Sequence, residues 1–209
     1  MATDPHALTY LALGDSYTIG EGIDSADRWP VRLTLALRGE GVPLEFPRTL
    51  ATTGWTTDEL SAAMDRATPP LGVYDFVSLL VGVNNQYRGR SAADYRGEFL
   101  GLLQRAIALA GDRTARVMVL SIPDWGVTPF AERNARDAAT IASELDAYNA
   151  VAAELCEAHG VAFVDITGIS REHGGDPSML VEDGLHPSAA MYGLWVRQAL
   201  PVARGLLAA

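Results

Sequence analysis

Cysteine is almost absent from this chain: Cys156 is the single one in 209 residues. One thiol builds neither an intramolecular disulfide framework nor a Cys-rich metal site. Cys156 falls in an apparent helix, Ile141–His159, where it reads as an inert packed side chain. Long apolar runs are missing too. None approaches the roughly 18 residues that a membrane span needs, so no span is expected. Met1–Tyr10 carries Asp4, Pro5 and His6 instead of a basic stretch leading into an apolar one. No secretory signal is read there and a cytoplasmic location is expected, although a removed leader would leave no trace. Basic residues are the minority, 16 Lys and Arg against 26 Asp and Glu, for a net charge of -10. With no basic patch and an overall charge that repels polyanions, nucleic acid is not an expected partner.

Several patterns are also missing. The glycines after residue 14 form neither G-x-G-x-x-G nor a Gly-Lys-Ser/Thr phosphate loop, and G-x-S-x-G occurs nowhere. No His, Asp or Glu grouping has metal-ligand spacing, so no metal is expected. There is no repeat, low-complexity tract or linker, and residues 1–209 are expected to form a single domain.

What is there is 48% hydrophobic and 20% charged, the balance of a folded domain. Leu8–Gly14, Tyr74–Val83, Ala115–Ile122 and Val161–Ile166 are short apolar runs rich in Val, Leu and Ile, and read as buried strands. Leu44–Leu50 is a weaker strand, which Pro47 assigns to an edge or a bulge. Helical patterns lie between them. Thr56–Ala67 opens with a capping box, Thr56 with Glu59. Ser91–Ala110 puts Tyr95, Phe99, Leu102 and Ala106 on one face, and Ile141, Leu145, Tyr148, Ala152 and Leu155 form another core stripe. Pro187 suits the first turn of a last helix running to about Leu200. Strands alternating with helices predict an α/β fold, a three-layer α/β/α sandwich around a mostly parallel five-stranded sheet. Ligands then sit beyond the carboxyl ends of the strands.

Four groups of residues fall at that edge or in a loop able to reach it. Ser16, in Gly14-Asp15-Ser16 after the first strand, can expose its hydroxyl beside backbone N–H groups, or can simply cap a tight turn. Asp183 and His186, three residues apart, suit a base and its carboxylate partner, or a turn in which Asp183 binds backbone amides. Asn84, in Gly82-Val83-Asn84-Asn85, can offer an amide N–H to an oxyanion, or sit in an ordinary turn. Gly54 follows the second strand, where its N–H can approach a ligand unobstructed by a Cβ. His159 reads as a helix-end charge, His173 as a loop residue, His6 as part of the tail, and Asp15 as structural.

Together and in this order, these residues resemble the SGNH hydrolases, the GDSL esterase/lipase family. Gly14-Asp15-Ser16 matches the nucleophile block, Gly54 the glycine block, Gly82-Val83-Asn84 the asparagine block, and Asp183-Gly184-Leu185-His186 the D-x-x-H block. The resemblance implies a flavodoxin-like sandwich and ester hydrolysis through an acyl-enzyme, with no metal and no cofactor. Ser16 would be the nucleophile, His186 its base and Asp183 the orienting carboxylate. The Ser16 and Gly54 N–H groups and the Asn84 side chain would form the oxyanion hole. The chain departs from the pattern at Tyr17, where the family name has Leu, which alters the packing behind the nucleophile. At Asn85 an Asp is common in the family, and its loss leaves the stiffness of that loop in question.

The segment Pro123–Phe130 should overhang the site. Trp125 and Phe130, with Tyr87, could wall a small acyl or sugar pocket, or only pack the loop onto the sheet. The reading favours a small-molecule substrate with a short acyl ester, acetyl groups on carbohydrate included. Its rivals are a lysophospholipase or thioesterase for longer chains, an acyltransferase, and a non-catalytic binding module of the same fold. The last would have to explain the intact Ser16, Asp183 and His186. The sequence does not indicate an oligomeric state.

Overall fold

The computed structural model describes residues 7–208, so His6 lies outside them. Five strands form one parallel sheet in the order β2-β1-β3-β4-β5. Strands β1 (Tyr10–Gly14), β3 (Phe76–Leu80) and β4 (Val117–Leu120) are buried at every position, as central parallel strands are. The edges, β2 (Arg48–Ala51) and β5 (Ala162–Val164), are partly open. Pro47 stands just before β2, at the sheet edge where sequence placed it. The runs around β3, β4 and β5 outlast their ladders because flanking residues such as Val81, Ile122 and Ile166 are buried too.

The helices are α1 (Ser16–Ile19), α2 (Trp29–Gly39), α3 (Thr57–Asp65), α4 (Val83–Tyr87), α5 (Ala92–Leu109), α6 (Pro129–Arg133), α7 (Ala138–His159), α8 (Thr167–His173) and α9 (Ala189–Leu207). Helix α2 packs on α9, while α5 packs on α3 and α7, which gives the two helical layers. The fold is the flavodoxin-like α/β sandwich, and its strand order reverses between β1 and β3. Among the described residues no helix is long and apolar enough to cross a membrane.

Caps explain several boundaries. The Thr56–Glu59 capping box opens α3, with the Thr56 N–H donating to Glu59 Oε2 at 2.9 Å. The Ser91 hydroxyl accepts the Asp94 N–H at 3.1 Å and starts α5. The last helix differs from its expected span. Pro187 stays outside it, Ser188 is the cap, and the helix continues past Leu200 to Leu207 with Pro201 inside. Proline removes one backbone donor there, but Met191, Tyr192, Trp195, Val196, Ala199, Ala203 and Leu207 keep a buried stripe that holds the helix together. His173 ends α8 and is not in a loop, since buried Thr167 and Ser170 anchor that short helix. Cys156 is buried, and burial pushes its thiol up to about 12, which keeps it protonated.

Candidate active site

Ser16 is the first residue of α1, directly beyond the carboxyl end of β1, and only 4% exposed. This is the topological switch point, where an open α/β sheet forms a crevice. As the first helical residue, Ser16 has an N–H with no partner in its own helix. Gly14 fits because a Cβ there would stand 2.5 Å from the Leu80 carbonyl oxygen of β3. Asp15 caps α1: its Oδ1 accepts the Tyr17 N–H at 3.0 Å, while Oδ2 is buried without a hydrogen-bond partner. Burial pushes this carboxyl up to about 7, against backbone N–H groups of Tyr17 and Gly82 that favour the anion. Asp15 is thus the structural residue the sequence suggested.

Asn84 is reached from the neighbouring strand. Between β3 and α4 the chain turns at Gly82 with φ 134°, a conformation for glycine, and a Cβ would lie 2.7 Å from the Tyr95 ring. That turn places Asn84 in the first turn of a helix that opens just beyond the strand end where the sequence put it. Its Nδ2 donates to the Trp55 carbonyl at 2.9 Å, tying the amide to the segment that carries Gly54. A second N–H on the same nitrogen is left over. Asn85 is fully buried. Its Oδ1 accepts the Thr57 N–H at 3.0 Å, and its Nδ2 donates to Thr57 Oγ1 at 2.6 Å and Glu98 Oε2 at 3.0 Å. The segment is a helical turn tied down at Asn85, and Glu98 of α5 supplies the carboxylate that the Asn85 amide needs.

Asp183 and His186 share one turn. Asp183 Oδ1 accepts the N–H groups of Leu185 and His186 at 2.7 and 3.0 Å, and Oδ2 faces His186 Nδ1 at 2.6 Å. Burial of Asp183 opposes its ionisation, but the His186 ring and the two backbone N–H groups outweigh it and lower the carboxyl's pKa. A carboxylate only accepts, so the neutral ring carries its proton on Nδ1 and leaves Nε2 unprotonated. The turn is held from outside: the Phe130 N–H donates to the Gly184 carbonyl at 3.0 Å, and Arg133 of α6 donates to the Asp183 carbonyl. The Tyr17 ring lies 5.8 Å from the His186 ring and 6.0 Å from that of Trp195.

Ser16, Gly54, Asn84, Tyr87, Trp125, Phe130 and His186 all line one cavity of about 200 Å³. The structure thus brings seven of the eight anticipated residues to one wall system, with Asp183 behind His186. Tyr17, Val83 and Leu185 line it too, and sequence reasoning does not single them out as walls. Their signal was adjacency: Val83 and Leu185 stand next to Asn84 and His186. The rings of Tyr87, Trp125 and Phe130 meet at 5.4, 6.0 and 6.4 Å, and the Arg136 guanidinium lies over Tyr87 and Trp125. Among the described residues, no three His, Cys, Asp or Glu side chains group as a metal ion would need.

The model of the GDSL-like lipase/acylhydrolase family matches residues 12–194. The chain belongs to this family. It is a serine ester hydrolase of the SGNH type, as the four sequence blocks implied. Among solved structures, that of TesA is 21% identical, with a TM-score of 0.70 over 95% of this chain and 99% of the other. A lipase/acylhydrolase from Enterococcus faecalis is 20% identical, with a TM-score of 0.70 over 95% and 96%. AlinE4, an SGNH-hydrolase family esterase, is 18% identical, with a TM-score of 0.64 over 99% and 100%. At such identities the likeness is one of fold. No curated protein matches the sequence significantly.

Proposed function

We propose that this SGNH hydrolase uses Ser16 as nucleophile, His186 as general base and Asp183 as the residue orienting that base, on esters with short acyl groups. The observation that carries the reading is His186. Its Nδ1 is held by Asp183 at 2.6 Å while its ring borders the same cavity as Ser16. Ser16 Oγ attacks the ester carbonyl carbon and passes its proton to His186 Nε2. The oxyanion receives the Ser16 and Gly54 N–H groups and the spare N–H of Asn84. Collapse expels the alcohol, which takes the proton from His186. Water then repeats the sequence on the acyl-enzyme and releases the acid.

A cavity of about 200 Å³ walled by Tyr87, Trp125 and Phe130 suits a small acyl group better than a long chain. Tyr87 is 44% exposed at the rim and offers a ring face to a sugar alcohol, so carbohydrate O-acetyl groups are the first class to assay.

A fluorophosphonate should label the folded enzyme stoichiometrically at Ser16. Ser16→Ala should abolish labelling and cut hydrolysis by several orders of magnitude with the fold intact. In a para-nitrophenyl ester series, kcat/KM should be highest for acetate or butyrate. Labelling at another residue would overturn the nucleophile, and a maximum at octanoate would overturn the short-acyl reading.

A further inference from the structure

Helix α4 is five residues long, and successive residues on a helix turn by about 100°. Its consecutive amides therefore point to different neighbours: Asn84 to the segment after β2, Asn85 to α3 and α5, and Gln86 to α7 and the Pro123–Phe130 segment. Asn84 and Asn85 are accounted for above. Gln86 is 1% exposed and does not line the cavity, yet both ends of its amide are engaged. Trp125 Nε1 donates to Gln86 Oε1 at 2.9 Å, and Gln86 Nε2 donates to Glu144 Oε2 at 2.5 Å. The orientation of the amide is fixed chemically, since an indole N–H can only donate and a carboxylate can only accept. An indole has a single N–H, and Gln86 holds it. Trp125, itself 2% exposed, is the wall that Tyr87 and Phe130 meet edge-on.

We propose that Gln86 sets the acyl-chain length this enzyme accepts, as a positioning residue that acts through Trp125. The clamp from Glu144 through Gln86 holds the indole across the cavity and fixes its depth. Without the clamp, the indole is held only by its ring contacts with Tyr87 and Phe130 and by Arg136, so it can shift among them and the cavity lengthens. The proposal rests on the acyl-pocket reading above and adds the residue that controls it.

The test is the ratio of kcat/KM for para-nitrophenyl octanoate to that for the acetate, measured on folded variants. Gln86→Leu removes both hydrogen bonds at nearly constant volume and should raise the ratio about tenfold, the scale of a methylene or two gained in an apolar pocket. Gln86→Glu keeps an acceptor for Trp125 but sets a second carboxylate against Glu144, and should raise the ratio as well. Adding Glu144→Gln restores a donor facing an acceptor, and the double variant should return to the wild-type ratio. This pair carries the test even where Gln86→Leu does not fold. Trp125→Ala should raise the ratio directly. If Trp125→Ala shifts the ratio while folded Gln86 variants do not, Gln86 is merely structural and the proposal fails, with the acyl pocket left standing. If Trp125→Ala leaves the ratio unchanged, the acyl-pocket reading fails and takes the proposal with it.

Discussion

Asp183 commits both of its oxygens to a single turn: one takes two backbone N–H groups and the other the His186 ring. Asp183→Asn keeps the backbone contacts through Oδ1 but presents an amide that cannot stabilise an imidazolium. The expected result is a fall in kcat of about 10⁴, the scale seen when a triad carboxylate becomes an amide. Unfolding temperature should change little. A folded Asp183→Asn that keeps wild-type kcat would remove Asp183 from the mechanism. Asn84 is expected to act mainly on the transition state, so Asn84→Ala should lower kcat by roughly 10²–10³ with KM nearly constant. A raised KM with kcat intact would make it a substrate-binding residue instead. These residues were legible because Ser and Asn just beyond strand ends, and Asp and His three apart in one turn, carry their chemistry in their type. Gln86 and Arg133 were not, because their meaning depends on remote partners: Glu144 is 58 positions from Gln86, and Asp183 is 50 from Arg133.

At the level of elements, legibility followed length. All five strands and the long helices α5 and α7 stand where the apolar runs and stripes placed them, because burial on both faces or along one stripe writes itself into composition. Helices α4, α6 and α8, of five, five and seven residues, are too short to show a periodicity, so they read as turns and loops. Helix α2 was detectable: Trp29, Leu33 and Leu37 recur every four residues and Pro30 sits in its first turn. The departure at Asn85 is an agreement between elements. Its Nδ2 lies 3.0 Å from Glu98 Oε2, so an Asp in that place would set two carboxylates in contact. Asn85→Asp should destabilise the fold by about 1–3 kcal/mol, the penalty for an unsatisfied buried polar contact. Glu98→Gln in the same chain should recover most of that loss, as chemical denaturation would show. Additive losses in the double variant would contradict the pairing.

For the whole molecule, Asp15 makes stability depend on pH. Its carboxyl ionises near 3.8 when exposed and near about 7 in the folded chain. Between those values the folded protein holds a proton that the unfolded chain has released, so stability falls as pH rises through the window. The full loss, present above the folded value, is on the order of 4 kcal/mol. Asp15→Asn cannot ionise. Relative to that variant, the Tm of the native enzyme should fall between about pH 4 and about pH 8. Parallel curves for the two would dismiss Asp15 as the source. On the same scale, the attachment of α6 to the Asp183–His186 turn has a kinetic consequence. Phe130 faces the cavity, its N–H is bonded to Gly184, and Arg133 of the same helix grips Asp183. Pressure from an oversized acyl group on Phe130 should, through these contacts, displace the base. A misfit substrate should therefore saturate the enzyme normally and turn over slowly, so that selectivity is written in kcat while KM stays almost blind to it.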